Sequence, residues 1–188
     1  TLSSVEKPRR KIATFSLNPV EETLDGNQIK RTQWIGPIRF QTNQLSGWVV
    51  VPPSGPNAPY SLELTRLGNT EIRLRLNWIS KRNFVQESSQ LWGYAKFLAS
   101  FRRGEIRYEI LSEYPRTPPR KPKNYLNRIP WEVQYQIENQ RTEETFLAYE
   151  IFLEFENAWL NFELVTPEEF FPGNREYLQN LLRFAQML

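Results

Sequence analysis

The sequence predicts an all-β fold, a jelly-roll β-sandwich with one short helix before a central strand and a short C-terminal helix. Two observations carry this. Apolar and polar residues alternate in several separate runs, as in "TEIRLRLNWI" and "WEVQYQIE", which is the period of a strand with one buried face. Turn-forming Gly, Pro and Asn separate the runs, and helical spacing is confined to two stretches, residues 88–101 and the C-terminus.

Taken in order, residues 1–33 predict a polar N-terminal arm: they carry "EKPRRK" at 6–11 and hold no sustained periodicity. Residues 34–173 are assigned to the jelly-roll domain. Its first strand is "WIGPIRF", Trp34 to Phe40, where Pro37 confines the run to a sheet edge or a bulge. "SGWVVVPP" supplies a short strand stopped by Pro52 and Pro53, and "PSGPNAP" is loop. "YSLELTRL" and "TEIRLRLNWI" are joined through Gly68-Asn69 as a hairpin, with Ile72, Leu74, Leu76 and Trp78 on one face and Arg73, Arg75 and Asn77 on the other.

"SSQLWGYAKFLASF" has apolar residues at 91, 94, 95, 98 and 101, one helical face, behind Ser88 or Ser89 as a cap. Arg103 and Gly104 then form a tight turn into the strand that starts at Glu105, and Gly104 is the residue that lets the chain change period so abruptly. After the Pro-rich basic loop "EYPRTPPRKPKNYLNRIP" come "WEVQYQIE", "TFLAYEIFLEF" and "AWLNFELV", the last two separated by Glu156-Asn157. Residues 174–188 predict the terminal helix, its stripe formed by Leu178, Leu181, Leu182, Ala185 and Leu188 behind an Asn174 cap.

Composition narrows the chemistry. With 188 residues the chain suits one domain with a substantial core, and its 6 Trp, 8 Tyr and 12 Phe supply large buried side chains. There is no cysteine, so disulfides, zinc thiolates and cysteine nucleophiles are excluded. There is no histidine, so any enzyme would work with carboxylates, Lys, Tyr or Ser alone. No enzyme activity, no cofactor and no metal are therefore expected. No window approaches the roughly 18 apolar residues of a membrane span, and no membrane partner is expected. Met187 is the only methionine. A chain starting at Thr1 suits either trimming or cleavage from a polyprotein.

Two short segments add a resemblance. Phe101-Arg102-Arg103-Gly104-Glu105-Ile106-Arg107-Tyr108-Glu109, following a helix that contains Trp92, resembles the helix-to-strand junction of the jelly-roll coat proteins of picorna-like plant viruses of the comovirus, nepovirus and cheravirus group. Trp34-Ile35-Gly36-Pro37-Ile38-Arg39-Phe40 is similar to the run that opens a jelly roll of the larger comovirus coat subunit. The two lie about 60 residues apart in the same order, and together they span residues 34–113, under half the chain. The resemblance implies a structural coat protein, cleaved from a polyprotein, that assembles with related subunits into an icosahedral shell around genomic RNA. Its expected place is the virion, with assembly in the host cytoplasm.

On that reading Arg9, Arg10 and Lys11 are the RNA-contact candidates, by non-sequence-specific phosphate neutralisation, although a solvated tail has the same composition. Arg116, Arg120, Lys121 and Lys123 in the Pro-rich loop are candidates for subunit contact, against the alternative of a rigid exposed loop. Leu178, Leu181 and Leu182 either dock on a neighbouring subunit or cover one end of their own sandwich.

Two other classes stay open. A monomeric β-sandwich binding module, for instance for carbohydrate, would use exposed Trp48, Trp78 or Trp159 as stacking platforms. A carboxylate-only hydrolase would need Glu150, Glu154 and Glu163 to converge, where solubilising or cross-strand roles are the ordinary expectation.

Overall fold

Alternation of apolar and polar residues becomes antiparallel pairing in every described strand. The computed structural model describes residues 13–41, 45–53, 60–80, 106–115, 131–139, 142–154, 158–183 and 185–187. For residues 79, 106–115, 131, 133, 139, 152, 154, 159 and 187 it describes the backbone alone. Eleven strands fall among these residues, in two sheets. The smaller runs β1 (Glu21–Asp25), β2 (Gln28–Ile35), β3 (Ile38–Gln41) and β11 (Gln186–Met187), in that spatial order. The larger contains β4 (Trp48–Val50), β5 (Leu62–Arg66), β6 (Asn69–Ser80), β7 (Ile106–Pro115), β8 (Trp131–Asn139), β9 (Thr145–Glu154) and β10 (Ala158–Pro167), ordered β4-β5-β6-β10-β9-β8-β7.

The all-β class with a C-terminal helix is thus what the structure shows. Its strand order is that of two meanders, β4-β5-β6 and β7-β8-β9-β10, zipped together along β6 and β10. Among the described strands the pairings are not the interleaved Greek keys of a jelly roll. The β6–β10 register places Leu76 opposite Phe162 and Leu74 opposite Leu164, so both meanders turn their leucines to one face.

That face is the core. Leu62, Leu64, Leu74, Leu76, Ile151, Leu160, Phe162 and Leu164 pack there with Ile35, Ile38 and Phe40 of the smaller sheet. The third component is helix α1 (Phe171–Arg183), which contributes Phe171, Leu178, Leu181 and Leu182. The leucine stripe therefore lies in the chain's own core, and these three leucines are not available to a neighbouring subunit. Burying a leucine is worth roughly 1.5–3 kcal/mol, which is reason enough for α1 to lie down on its own sheet.

Several boundaries differ from expectation, each for a local reason. The helix begins at Phe171, three residues before the expected cap, because Pro172 in the first turn has its φ preset and lacks only an N–H that has no intrahelical partner there. Asn174 lies inside the helix and donates from Nδ2 to the Phe170 carbonyl (2.8 Å). After α1 the chain does not stay helical: β11 pairs with β3, and the Arg39 guanidinium donates to the Gln186 side chain.

The expected arm forms strands from residue 21. Glu21–Asp25 and Gln28–Ile35 form a hairpin across Gly26-Asn27, with Gly26 at φ 63°. "WIGPIRF" is not one strand but two. Gly36, at φ 52°, and Pro37 make the turn, setting Ile35 opposite Ile38 and Trp34 opposite Arg39. The Phe15 ring lies directly over this turn: a Cβ on Gly36 would come within 2.7 Å of it. The expected helix at 88–101 and the Arg103-Gly104 turn lie outside the described residues; β7 starts at Ile106, close to the expected strand start.

Candidate functional site

The face of the large sheet opposite α1 carries the charge. Alternation puts Glu63 of β5, Arg73, Arg75 and Asn77 of β6, and Asn161 and Glu163 of β10 there, and the register sets Arg75 opposite both Glu63 and Glu163. Arg75 donates from Nε to Glu63 Oε2 (2.7 Å) and from NH1 to Glu163 Oε1 (2.8 Å), while its guanidinium lies 4.6 Å above the Tyr60 ring. Burial pulls this guanidinium's pKa down, and the facing carboxylates, Glu163 first, more than offset it, so the charge is held above its ordinary range.

The ladder continues across two more strands. Glu150 of β9 lies directly opposite Glu163, and the Tyr135 hydroxyl from β8 contacts both: 2.8 Å to Glu163 Oε2 and 3.1 Å to Glu150 Oε1. Five strands are thus stitched by one run of side chains, Glu63–Arg75–Glu163–Tyr135–Glu150. Beside it Asn77 Nδ2 donates to Asn161 Oδ1 (3.1 Å), and Asn161 Nδ2 donates to the Ile151 carbonyl (3.3 Å).

Glu150 and Glu163 converge, as the hydrolase alternative requires, but they do not frame a substrate. They are 3% and 1% exposed, and a phenol oxygen occupies the space between them. Glycoside hydrolysis needs two carboxylates far enough apart, roughly 5 Å or more, to flank a sugar linkage. The Glu154 side chain lies outside the described residues. Among the described residues no cluster of acidic ligands is arranged to hold a metal ion.

On the helix side a second polar group is buried. Tyr149 of β9 donates its hydroxyl to Glu132 of β8 and receives a longer bond from Gln179 of α1 (3.4 Å), with the Arg175 guanidinium 5.0 Å above its ring. Burial, then the bond to Glu132, pushes the Tyr149 hydroxyl from 10.0 up to about 12. Burial also raises Tyr177. A phenol whose folded-state pKa is raised contributes stability in full below the unfolded value, and that stability is lost as pH rises through the folded value. Stability against urea is therefore expected to fall as pH rises from 10 to 12, Tyr149 alone accounting for about 3 kcal/mol. Tyr149→Phe should flatten that dependence; an unchanged slope would refute the assignment.

Trp48, a candidate stacking platform, is instead part of the joint between β4 and α1. Its Nε1 donates to the Tyr177 hydroxyl (3.0 Å), and the Arg66 guanidinium lies over both rings, 4.3 and 4.4 Å from their centroids. Trp78 is partly buried against Phe15 (ring centroids 6.0 Å) and the core. Neither stands open as a carbohydrate platform would. The Trp159 side chain, the RNA-contact candidates Arg9, Arg10 and Lys11, and the loop residues Arg116, Arg120, Lys121 and Lys123 lie outside the described residues.

What does stand open is the β1–β2 hairpin. β3 pairs only with residues 32–35 of β2, whereas β1 pairs with residues 28–32, so the ribbon runs on past the body of its sheet. Leu24 and Ile29 are cross-strand partners, 79% and 58% exposed, and Val20, also exposed, lies just before β1. Cross-strand ion pairs flank them: Arg31 with Glu22 at 2.9 Å, and Lys30 with Asp25. The Asp-Gly turn was the available sequence signal for this ribbon. With both faces in solvent, no apolar alternation accompanied it.

No family model matches the chain, and no curated protein matches it. Among solved structures it is similar to the cyanobacterial PsbP protein CyanoP from Synechocystis sp. PCC 6803, with a TM-score of 0.53 and 12% identity over 90% of this chain and 92% of that one. It also matches the PA94 protein from Pseudomonas aeruginosa, at a TM-score of 0.40 and 14% identity over 90% and 96% of the two chains. At 12% identity the likeness to CyanoP is one of fold alone.

Proposed function

We propose that this protein is a structural subunit that works by docking against other protein surfaces, without a covalent step, and that the β1–β2 hairpin is its contact element. The supporting observation is the uncovered Leu24–Ile29 pair on a ribbon that overhangs its sheet. A two-stranded ribbon is marginally stable alone in water, and one that presents apolar side chains beyond its own core gains by being covered. The buried carboxylates and the stacked Arg66 are engaged internally, so they favour a scaffold over a reaction centre.

A coat subunit is the particular form of this reading suggested by the resemblance, with Arg9, Arg10 and Lys11 facing packaged RNA. A jelly roll is the fold it would call for, and the two meanders leave it resting on the short sequence segments. One of these, residues 34–40, contains a hairpin turn.

A photo-crosslinking residue at Ile29, in material produced together with its natural neighbours, is expected to join the chain to another protein chain. The same probe at Thr70, on the opposite sheet, should not. For the coat form, sedimentation of that material should give a megadalton particle with nuclease-protected RNA. A ribbon that never cross-links would end the docking reading.

A further inference from the structure

We propose that the hairpin docks on a second copy of this chain by edge-to-edge pairing of β1 with β1 about a two-fold axis through Leu24. The inference rests on the docking reading and names its partner. β1 is the outer strand of its sheet, all five of its residues are exposed, and among the described residues no strand pairs with its free edge.

Asp25 and Gln28 flank a two-residue turn, so they form the narrow hydrogen-bonded pair of the hairpin. Alternation then points the main-chain groups of Thr23 toward β2. Those of Leu24 and Glu22 point outward, ready for another strand.

Charge selects the partner's register. In a two-fold antiparallel pair, facing residues share one side of the sheet, so the axis must pass through a residue, and β1 offers five choices. An axis on Glu21, Glu22 or Asp25 sets that acid against its own copy. An axis on Thr23 sets Glu21 against Asp25 twice. Like charges directly opposite each other are unfavourable, which removes all four.

With the axis on Leu24, Thr23 faces Asp25, Glu22 faces Gly26 and Glu21 faces Asn27, and no acid meets an acid. The same register lines up Ile29, Leu24, Leu24 and Ile29 in one row across four strands, covering the side chains that stand exposed in a single copy. A Glu22–Arg31 ion pair flanks the row on each side with no net charge. A long charged edge is how proteins commonly prevent self-pairing; here the charges leave one register unopposed.

The chain has no cysteine, so single-cysteine variants report geometry directly. Facing residues of a hydrogen-bonded pair have Cα atoms about 5.5 Å apart, within disulfide reach. Under mild oxidation of the full chain, Leu24→Cys should form a linked dimer. Glu22→Cys should not, its copies being offset by roughly 13 Å along the strands. By sedimentation Thr23→Lys should tighten the dimer about fivefold and Thr23→Glu weaken it about as much.

A 22.4 kDa monomer persisting into the hundred-micromolar range overturns the self-pairing, as does equal cross-linking at positions 22 and 24. If the Ile29 probe meanwhile captures a different protein, docking stands with another partner. If it captures nothing, both readings fall.

Discussion

Arg75→Ala is expected to lower the unfolding free energy by about 3–5 kcal/mol, measured by urea denaturation near neutral pH. The side chain neutralises Glu163, which is almost fully buried, and Glu63 beside it. Its removal leaves carboxylates in a poorly solvated layer with the nearest guanidinium gone. Arg73 reaches only Glu63, at 3.4 Å. A double-mutant cycle with Glu163→Ala should be strongly sub-additive, since either change breaks the same contact. A loss below about 1 kcal/mol would mean that the ladder is solvated in practice and behaves as a surface ion pair.

Gly36→Ala is expected to cost about 2–4 kcal/mol by the same measurement, from two sources. A Cβ at φ 52° is intrinsically strained, by roughly 1 kcal/mol. It would also be driven to 2.7 Å from the Phe15 ring, which is backed by Trp78 and has little room to withdraw, adding about 1–3 kcal/mol of overpacking. Gly26→Ala and Gly68→Ala separate the two sources. Both glycines have positive φ, with nothing within 4 Å of the added Cβ, so only the backbone term should appear, about 1 kcal/mol. Equal losses at all three positions would show that the Phe15 contact carries no weight.

These two positions also mark what could be read in advance. Most of the expected strands were legible because half-buried strands impose a period of two on the sequence, and residues 72–78 display it without exception. The Gly36 turn was hidden inside such a run: Trp34, Ile35, Ile38 and Phe40 look like continuous strand, and the fold depends on Gly-Pro reversing the chain between them. The charge ladder was half legible. Glu150 and Glu163 face each other across neighbouring strands and were recognisable as partners. Arg75 reaches Glu163 through pairing with a strand 88 residues away, and local pattern contains no information about that. The leucine stripe of α1 announced a buried face but not whose surface would bury it.

The seam between β6 and β10 has a kinetic side. Every other neighbour in the large sheet is a hairpin partner close in sequence, whereas Asn77 meets Asn161 only after 84 residues of chain have been drawn together. Closing so long a loop carries an entropy penalty that the hairpins do not face, so each meander is free to form early and the two must then find each other. Register along that seam is chosen at the encounter. A slip of one residue along β6 would turn Leu74 and Leu76 to the face opposite Phe162 and Leu164 and press Arg75 into the core. The Arg75–Glu163 contact exists only when the two meanders are aligned, so it favours the native register whatever it adds to the finished protein.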